Sequence, residues 1–286
     1  GSGGLIFTTS QSYYDMDNVA IVVEDTTVGH LGTAALAVDF KREVTSCSFT
    51  IRRSKLLALN GGVRFAMATS NLAVNIEDST IAVQHNQYVS TTTYGQISAM
   101  NFDVAATALA LSIRNSALSV NGFGSSTNYL YGLRFYGLRT SSTVAVSQSA
   151  LTVTGASTTA AIYGLQTMDG ASCMTVVDSN VTSACCSAVT ACTCSSSSRH
   201  YGIYNYYVQA ASSITLRGST AIVDGPYSYA VYTYGVISSY VNVLDSEVTV
   251  SSPSGRAIAV VFDYTTTSLL GSISGNTFKV TGTSGG

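Results

Sequence analysis

The chain has 286 residues, of which 10% are charged, and its formal net charge at pH 7 is −2. This balance gives no reason to expect a nucleic acid or an anionic membrane as a partner, and no apolar run approaches the roughly 18 residues that a membrane helix needs. Proline numbers only 2 and tryptophan is absent. Because proline cannot donate a hydrogen bond to a strand that is paired on both sides, its scarcity is typical of a chain rich in fully paired strands.

A short pattern returns nine times along the chain, each time around a small hydroxyl or amide residue that we call the mark. In chain order the marks are Thr26, Ser54, Ser79, Ser116, Ser149, Ser179, Ser219, Ser246 and Asn276. Apolar residues lie five and three positions before most marks and two and four positions after them, which indicates two strands that each have one buried face. The inward residue three positions before the mark and the one two positions after it are five residues apart. Because this number is odd, a straight strand would place them on opposite faces, so the backbone must turn at the mark to keep both strands facing one core.

A further apolar pair lies sixteen and fourteen residues before most marks, as in Val38/Phe40, Tyr163/Leu165 and Ala230/Tyr232. Five of the nine phenylalanines occupy the position fourteen before the mark, which predicts a column of stacked rings inside the molecule. Each repeat then holds three short strands and two corners and can bury its apolar face only against its neighbours. We therefore predict an all-β fold: one continuous, right-handed parallel β-helix of about nine coils over residues 1–286.

The number of residues between successive marks varies, and all of this variation falls between the last strand of one coil and the first strand of the next. The long examples are 84–99, 121–132 and 184–202. Insertions on one edge of a solenoid often carry recognition, although such loops are also simply tolerated. The chain begins and ends almost within a coil, without a polar or helical cap, so we expect a segment of a longer chain or a subunit of a polymer.

Charged residues form a predicted ladder two positions before successive marks, at Glu24, Arg52, Glu77 and Arg114. One interpretation is cross-strand pairing on an exposed face. The other is a polysaccharide lyase or hydrolase site, which for hydrolysis needs two carboxylates about 5–9.5 Å apart. An arginine between Glu24 and Glu77 would keep both carboxylates ionised and so remove the general acid. The histidines fall at unrelated coil positions, and we predict no catalytic residue.

Five of the six cysteines are disulfide candidates: Cys173, Cys185, Cys186, Cys192 and Cys194. Four of them crowd into one loop, where zinc binding with His200 and free thiols are the alternatives. Their spacing is not that of a common zinc motif, whereas a disulfide-stapled loop is a routine extracellular device. Asn180, in Asn180-Val181-Thr182, is a candidate glycosylation site.

Tyrosine is unusually frequent, with 18 residues. A possible binding surface comprises Tyr201, Tyr204, Tyr206, Tyr207, Tyr227 and Tyr229. Tyrosines at the edge of a core can simply cap it with their hydroxyls in water, and glycines after them can serve the corner. They can also form a platform for sugars or for another protein, since tyrosine offers contact area at low entropic cost.

One stretch resembles the dispersed-gene-family surface proteins of trypanosomatid protists: Val176-Val177-Asp178-Ser179-Asn180-Val181-Thr182 with the Cys/Ser-rich run to Tyr201-Gly202. The recurring D-S-x-φ-x-V and Tyr-Gly elements extend the resemblance over most of the chain. The resemblance implies a giant, β-helical, adhesin-like protein that is anchored elsewhere in its chain. It implies no catalytic residue.

These observations predict a non-catalytic solenoid, extracellular or at the cell surface, that serves adhesion or assembles into a filament. Its expected partners are further copies or further coils of itself, glycans and host surface proteins, and we expect no cofactor. The alternative is a carbohydrate-active enzyme, a polysaccharide lyase or hydrolase of the pectate-lyase-like β-helix type.

Overall fold

The computed structural model describes residues 5–7, 15–29, 36–85, 96–122, 129–185 and 194–282, excepting the side chains of 5–7, 85 and 265. Within these ranges the chain is all β and contains no α-helix. Every strand pairs in parallel with the strand one coil away, and the strands form three sheets, A, B and C. The predicted parallel β-helix with three strands per coil is confirmed. No helix in the described ranges is long and apolar enough to cross a membrane.

Each coil contributes one strand in turn to sheets A, B and C. The main strands of sheet A are Leu5–Phe7, Leu36–Phe40, Gly61–Phe65, Gln96–Phe102, Tyr129–Phe135, Thr159–Met168, Arg199–Gln209, Tyr227–Ile237 and Ala257–Thr267. Those of sheet B are Ala20–Glu24, Ser48–Arg52, Ala73–Glu77, Ala110–Arg114, Thr143–Ser147, Cys173–Val177, Ser213–Arg217, Tyr240–Leu244 and Ile273–Ser274. Those of sheet C are Thr27–Gly29, Lys55–Ala58, Thr80–His85, Ala117–Gly122, Ala150–Thr154, Asn180–Ala184, Thr220–Asp224, Glu247–Ser252 and Thr277–Gly282.

The core is built from columns of identical inward positions on successive coils. On sheet B, for example, Ile51, Ile76, Ile113 and Val146 stand in register and are at most 1% exposed. Burying a side chain of this size contributes about 1.5–3 kcal/mol relative to leaving it exposed. The period-two apolar pattern around each mark therefore becomes one continuous core along the rod.

The marks form an unbroken hydrogen-bonded column at the corner between sheets B and C. From Ser54 onward, each mark's side chain accepts a hydrogen bond from the backbone N–H of the mark one coil before it, at 2.9–3.3 Å. From Ser54 to Ser246, each serine hydroxyl also donates to the carbonyl two residues earlier, at 2.6–2.8 Å. A small side chain that both donates and accepts is what this buried corner requires.

The residue before each mark makes the turn itself. Its φ is positive at all nine corners, at 48–50° where the residue is not glycine. This left-handed conformation supplies the change of direction demanded by the odd five-residue step. The predicted column of corner residues is confirmed, from Thr26 to Asn276.

A second column of the same kind lies seven residues before the marks, at the corner between sheets A and B. The residue ahead of it again has positive φ, at 50–60° in every coil. Ser142, Ser172 and Ser212 repeat the hydrogen bond, accepting the N–H from the previous coil at 3.1 Å. In the second coil the buried thiol of Cys47 takes this place and lies 3.3 Å from the backbone nitrogen of Val19. Each coil therefore has two corners with a residue of positive φ, which agrees with the two corners per repeat expected from the sequence.

Short two-residue strands precede this second corner and also join sheet A. They are Met16–Asp17, Val44–Thr45, Thr69–Ser70, Ala106–Thr107 and Leu138–Arg139. From Thr159–Met168 onward the sheet A strand runs through this region without a break.

The phenylalanine column is confirmed for four coils. The rings of Phe40, Phe65, Phe102 and Phe135 stack with centroids 4.6–5.2 Å apart. In the next three coils the position of Phe135 is taken by Gly164, Asn205 and Thr233. Phe262, the fifth of the predicted rings, pairs with Thr233 and so lies apart from the stack.

The prediction that Tyr163 and Tyr232 occupy the inward position sixteen or fourteen residues before their marks is wrong. Leu133 pairs with Ile162, one residue earlier than expected, and Ile203 pairs with Val231, one residue later than expected. A register shift between Gly164 and Thr167 accompanies the offset at Ile162. Both tyrosines consequently lie on the outer face of sheet A.

We predict that Ser116→Ala lowers the free energy of unfolding by about 1–3 kcal/mol, because it leaves the buried N–H of Ser79 without a partner. Urea denaturation measures the change. Ser112→Ala is the matched control, since Ser112 is exposed on the outer face of sheet B, and its effect should stay within about 0.5 kcal/mol. Equal losses in the two variants would contradict the role of the corner hydroxyl.

Cys185 and Cys194 form a disulfide with Cα atoms 6.1 Å apart. The bond joins the end of the sheet C strand Asn180–Ala184 to the segment that precedes the sheet A strand Arg199–Gln209. The predicted disulfide loop is confirmed for this pair, and Cys186 and Cys192 lie outside the described residues. Cys173 is a free thiol, so its assignment to a disulfide is wrong. It lies on the outer face of sheet B, where it contacts Thr175 and Ser213 instead.

We predict that reducing this disulfide loosens the loop and leaves the rod folded, because the core columns do not depend on the bond. Hydrogen exchange should rise at residues 194–198 on reduction, while the far-ultraviolet circular dichroism stays unchanged. Cys185→Ser with Cys194→Ser should reproduce both results without a reductant. Loss of the strand signal would show that the bond supports the fold as a whole.

Candidate binding cleft

Tyrosines from successive coils form three parallel columns on the outer face of sheet A. The first column, where the chain enters the sheet, contains Tyr131, Ala160, Tyr201 and Tyr229; the second contains Tyr163, Tyr204 and Tyr232; the third contains Tyr206, Tyr234 and Tyr264. Rings within the second and third columns stack with centroids 4.6–5.3 Å apart and planes within 11°. Between the first and second columns, Tyr201 and Tyr204 meet edge to face at 5.0 Å, whereas Tyr131 and Tyr163 stack at 4.4 Å.

The glycine after a first-column tyrosine allows the coils to approach closely. A Cβ on Gly132 would lie 2.5 Å from the carbonyl oxygen of Ala161, and one on Gly202 would lie 2.6 Å from that of Ala230. The Tyr-Gly pairs noted in the sequence thus combine a large ring outside with a backbone contact that only glycine permits.

A cleft of about 1000 Å³ runs beside these columns. Its lining includes seven tyrosines, which we call the first wall, and a group of mostly small polar residues, which we call the second wall. The first wall comprises Tyr129, Tyr163, Tyr201, Tyr204, Tyr206, Tyr232 and Tyr234, and the second Ala156, Ser157, Thr158, Cys194, Ser195, Ser197 and Ser198. Arg199 and Asp263 complete its lining. The second wall comes from the segments that lead into sheet A strands, which is the edge where the sequence places its insertions.

The tyrosines grade from buried to exposed across the cleft. Tyr201 in the first column is 4% exposed, while Tyr206 in the third is 39% exposed. Burial raises the pKa of Tyr201 to about 12 and also raises the pKa of Tyr163 and Tyr204. These phenols therefore stay neutral at physiological pH and can each donate a hydrogen bond.

Two charged side chains line the cleft, and they differ in their partners. The Tyr232 hydroxyl donates a hydrogen bond to the Asp263 carboxylate. Arg199 interacts with the Tyr201 hydroxyl, which raises the arginine's pKa. Among the described residues, Arg199 forms no ion pair with a carboxylate.

His200 follows Arg199 but lies behind the cleft. Its side chain is completely buried, and its Nδ1 is 2.8 Å from the Thr159 hydroxyl. Burial lowers the pKa of His200 to about 4, so the ring stays neutral near pH 7. It packs the corner and does not line the cleft.

The charge ladder predicted from the sequence forms ion pairs between neighbouring coils. Arg52 lies 2.6 Å from Glu24, Arg53 lies 2.8 Å from Asp25, and Arg114 contacts Glu77. Hydrogen bonds from Arg52 and Arg53 lower the pKa of Glu24. This arrangement favours cross-strand pairing over general acid chemistry.

A second polar network, which the sequence patterns did not predict, lies on the outer face of sheet A. Arg64 Nε is 2.7 Å and Arg134 Nη1 is 3.2 Å from the two oxygens of Asp103. Arg134 is 5% exposed and precedes Tyr163 in the same outward column. Asp39 lies beside Arg64 at 4.0 Å, and burial raises its pKa. The outer face of sheet A therefore changes from charged in the early coils to aromatic in the later ones.

The candidate residues separate into distinct environments. Tyr201, Tyr204 and Tyr206 line the cleft, whereas Tyr207 and Tyr227 do not, and Tyr229 is 9% exposed within the aromatic cluster. The cleft residues outside the proposed binding surface include Tyr129, Tyr163, Arg199 and Asp263. Asn180 is exposed at the start of its sheet C strand. No group of three or more His, Cys, Asp and Glu residues in the described part of the chain could hold a metal ion.

Searches against protein families, curated proteins and solved structures find no match to this chain.

Proposed function

We propose that this chain is a non-catalytic extracellular or cell-surface solenoid that adheres to extended glycan chains through the tyrosine cleft. The observation that carries the proposal is the cleft itself, which joins a wall of tyrosines to a wall of serine and threonine residues. Ligand sites combine an apolar surface with a few convergent polar groups, and this cleft has both. The Cys185–Cys194 disulfide is compatible with an extracellular protein.

The stacking of the tyrosine rings determines which part of each side chain is accessible to a ligand. Because the ring faces within the second and third columns cover one another, their edges and hydroxyls are the parts directed to the ligand. A line of neutral hydroxyls spaced by roughly 4.8 Å, the distance between coils, suits a ligand with many hydroxyls of its own. Polysaccharides have this chemistry.

The direction of the cleft suits a chain rather than a small molecule. Its lining extends from Tyr129 through Tyr163, Tyr204 and Tyr232 to Asp263, each from a successive coil. Four steps between coils give roughly 19 Å, parallel to the axis of the rod. An extended oligosaccharide of a few residues would fill this length.

The alternative, a carbohydrate-active enzyme, receives less support from the described side chains. Glu24 and Glu77, its candidate carboxylates, are each held by arginine, and the cleft itself is lined by one carboxylate, Asp263. Glycoside hydrolysis of the usual type needs two.

We predict that Tyr206→Ala weakens binding to soluble oligosaccharides by about tenfold or more, because exposed tyrosines in a partly desolvated cleft carry much of the binding free energy. Isothermal titration calorimetry against a panel of oligosaccharides measures the dissociation constants. Tyr240→Ala is the control, since Tyr240 is similarly exposed, at 41% against 39%, but lies on sheet B. The proposal fails if no glycan binds or if the two variants weaken binding equally.

Assembly is a second candidate function, favoured by the last described coil. Its apolar residues Ile273, Phe278 and Val280 are 41–54% exposed, although their partners one coil earlier, Val243, Val248 and Val250, are buried. We propose that a further β-helical coil, from a second copy or from the same chain, stacks on this surface.

Phe278→Ser should therefore shift the chain from oligomers toward monomers in sedimentation velocity, because it removes part of the apolar surface that a second copy would cover. Lys279→Ser, a change at the neighbouring exposed residue, should leave the distribution unchanged. A parent chain that remains monomeric at high concentration would rule out stacking between copies.

A further inference from the structure

We infer that the tyrosine cleft selects glycans in which a carboxylate-bearing sugar is followed by uncharged sugars, and that Arg199 binds the carboxylate. This inference rests on the proposed function and specifies its ligand class. It derives from the two charged side chains of the cleft and their different partners.

Arg199 is the cleft's one cationic lining residue, and its hydrogen-bonding capacity is largely unused. A guanidinium carries five N–H donors in a fixed fork. Arg199 is an exposed residue that interacts mainly with Tyr201 and also with Tyr229 and Tyr232. The remaining donors can bind a carboxylate through two parallel hydrogen bonds, which is the arrangement that arginine favours.

The surroundings of Arg199 strengthen this selection. The nearby phenols of Tyr163, Tyr201 and Tyr204 are neutral donors, since burial raises the pKa of each. No Asp or Glu lines the cleft beside Arg199, because the acidic lining residue, Asp263, belongs to the strand two coils further on. An anion at Arg199 therefore meets donors and no opposing charge.

Asp263 limits where a ligand's negative charge can lie. Two coil spacings place it about 10 Å from Arg199 along the rod axis. Its carboxylate accepts the Tyr232 hydroxyl and can accept a sugar hydroxyl as well, but it repels a second carboxylate. A homopolymer in which every residue is acidic would thus place a like charge against Asp263, whereas a glycan with an isolated acidic sugar would not.

The test compares three tetrasaccharide-length probes by isothermal titration calorimetry: xylotetraose, its derivative bearing one glucuronic acid residue, and tetragalacturonic acid. We expect the singly acidic probe to bind the parent chain about tenfold more tightly than the neutral one. Arg199→Gln should abolish this preference, and Asp263→Asn should selectively improve binding of tetragalacturonic acid. Arg217→Gln, which changes an exposed arginine on sheet B, is the matched control and should alter none of these values.

The outcomes separate this inference from the proposed function. If the neutral and acidic probes bind equally in parent and Arg199→Gln chains, while Tyr206→Ala still weakens binding, the charge selection is wrong and glycan binding stands. If no probe binds and Tyr206→Ala changes nothing, both are wrong. Circular dichroism of each variant should match that of the parent, because the substituted side chains are exposed.

Discussion

The hydrogen bond from one corner to the next is the interaction on which the rest of this molecule depends. Each corner hydroxyl accepts the N–H of the corner before it, so the position of one coil fixes the position of the following coil. A parallel sheet alone does not prevent a strand from slipping along its neighbour, and a slip of one residue would exchange inward for outward side chains. The corner column ties the residue with positive φ to a single rung and so holds the apolar columns in register over the rod.

The same register determines the surface. Sheet A continues in register from the coil of Phe135 to that of Gly164, but the inward and outward positions shift by one residue relative to the mark. This shift moves Tyr163 outward, in line with Tyr204 and Tyr232, and ends the internal phenylalanine stack. The core of the later coils is therefore filled by smaller side chains, and aromatic surface accumulates outside. The tyrosines that line the cleft are part of this outer aromatic surface.

Much of the fold could be predicted from the sequence, because each apolar column repeats a period-two pattern around a recognisable mark. The column of residues at the corner between sheets A and B could not, since its position is occupied by residues as different as Cys47, Leu109 and Ser142, and no single residue type marks it. The offset at Tyr163 was missed because tyrosine suits an inward position as well as the rim of an outer face.

The site was harder to predict than the fold because its parts are far apart in the sequence. Tyr129 and Asp263, for example, line the same cleft although they belong to strands four coils apart. Tyrosine frequency pointed to Tyr201, Tyr204 and Tyr206, but the second wall and the two charges emerge only when five coils are stacked. Because the number of residues between successive coils varies, side chains that meet in the cleft do not recur at a fixed interval in the sequence.

The confinement of length variation to one edge has an evolutionary consequence. The sheet B and sheet C strands and both corners of a coil keep their offsets from the mark, so residues can be added or removed between sheets C and A without displacing them. The entropic cost of lengthening such a connection grows only with the logarithm of its length. Because this edge supplies the second wall of the cleft, insertions and deletions there can change ligand selectivity while the tyrosine columns stay as they are. The ligand selectivity of this scaffold can therefore change without a change in how the scaffold folds.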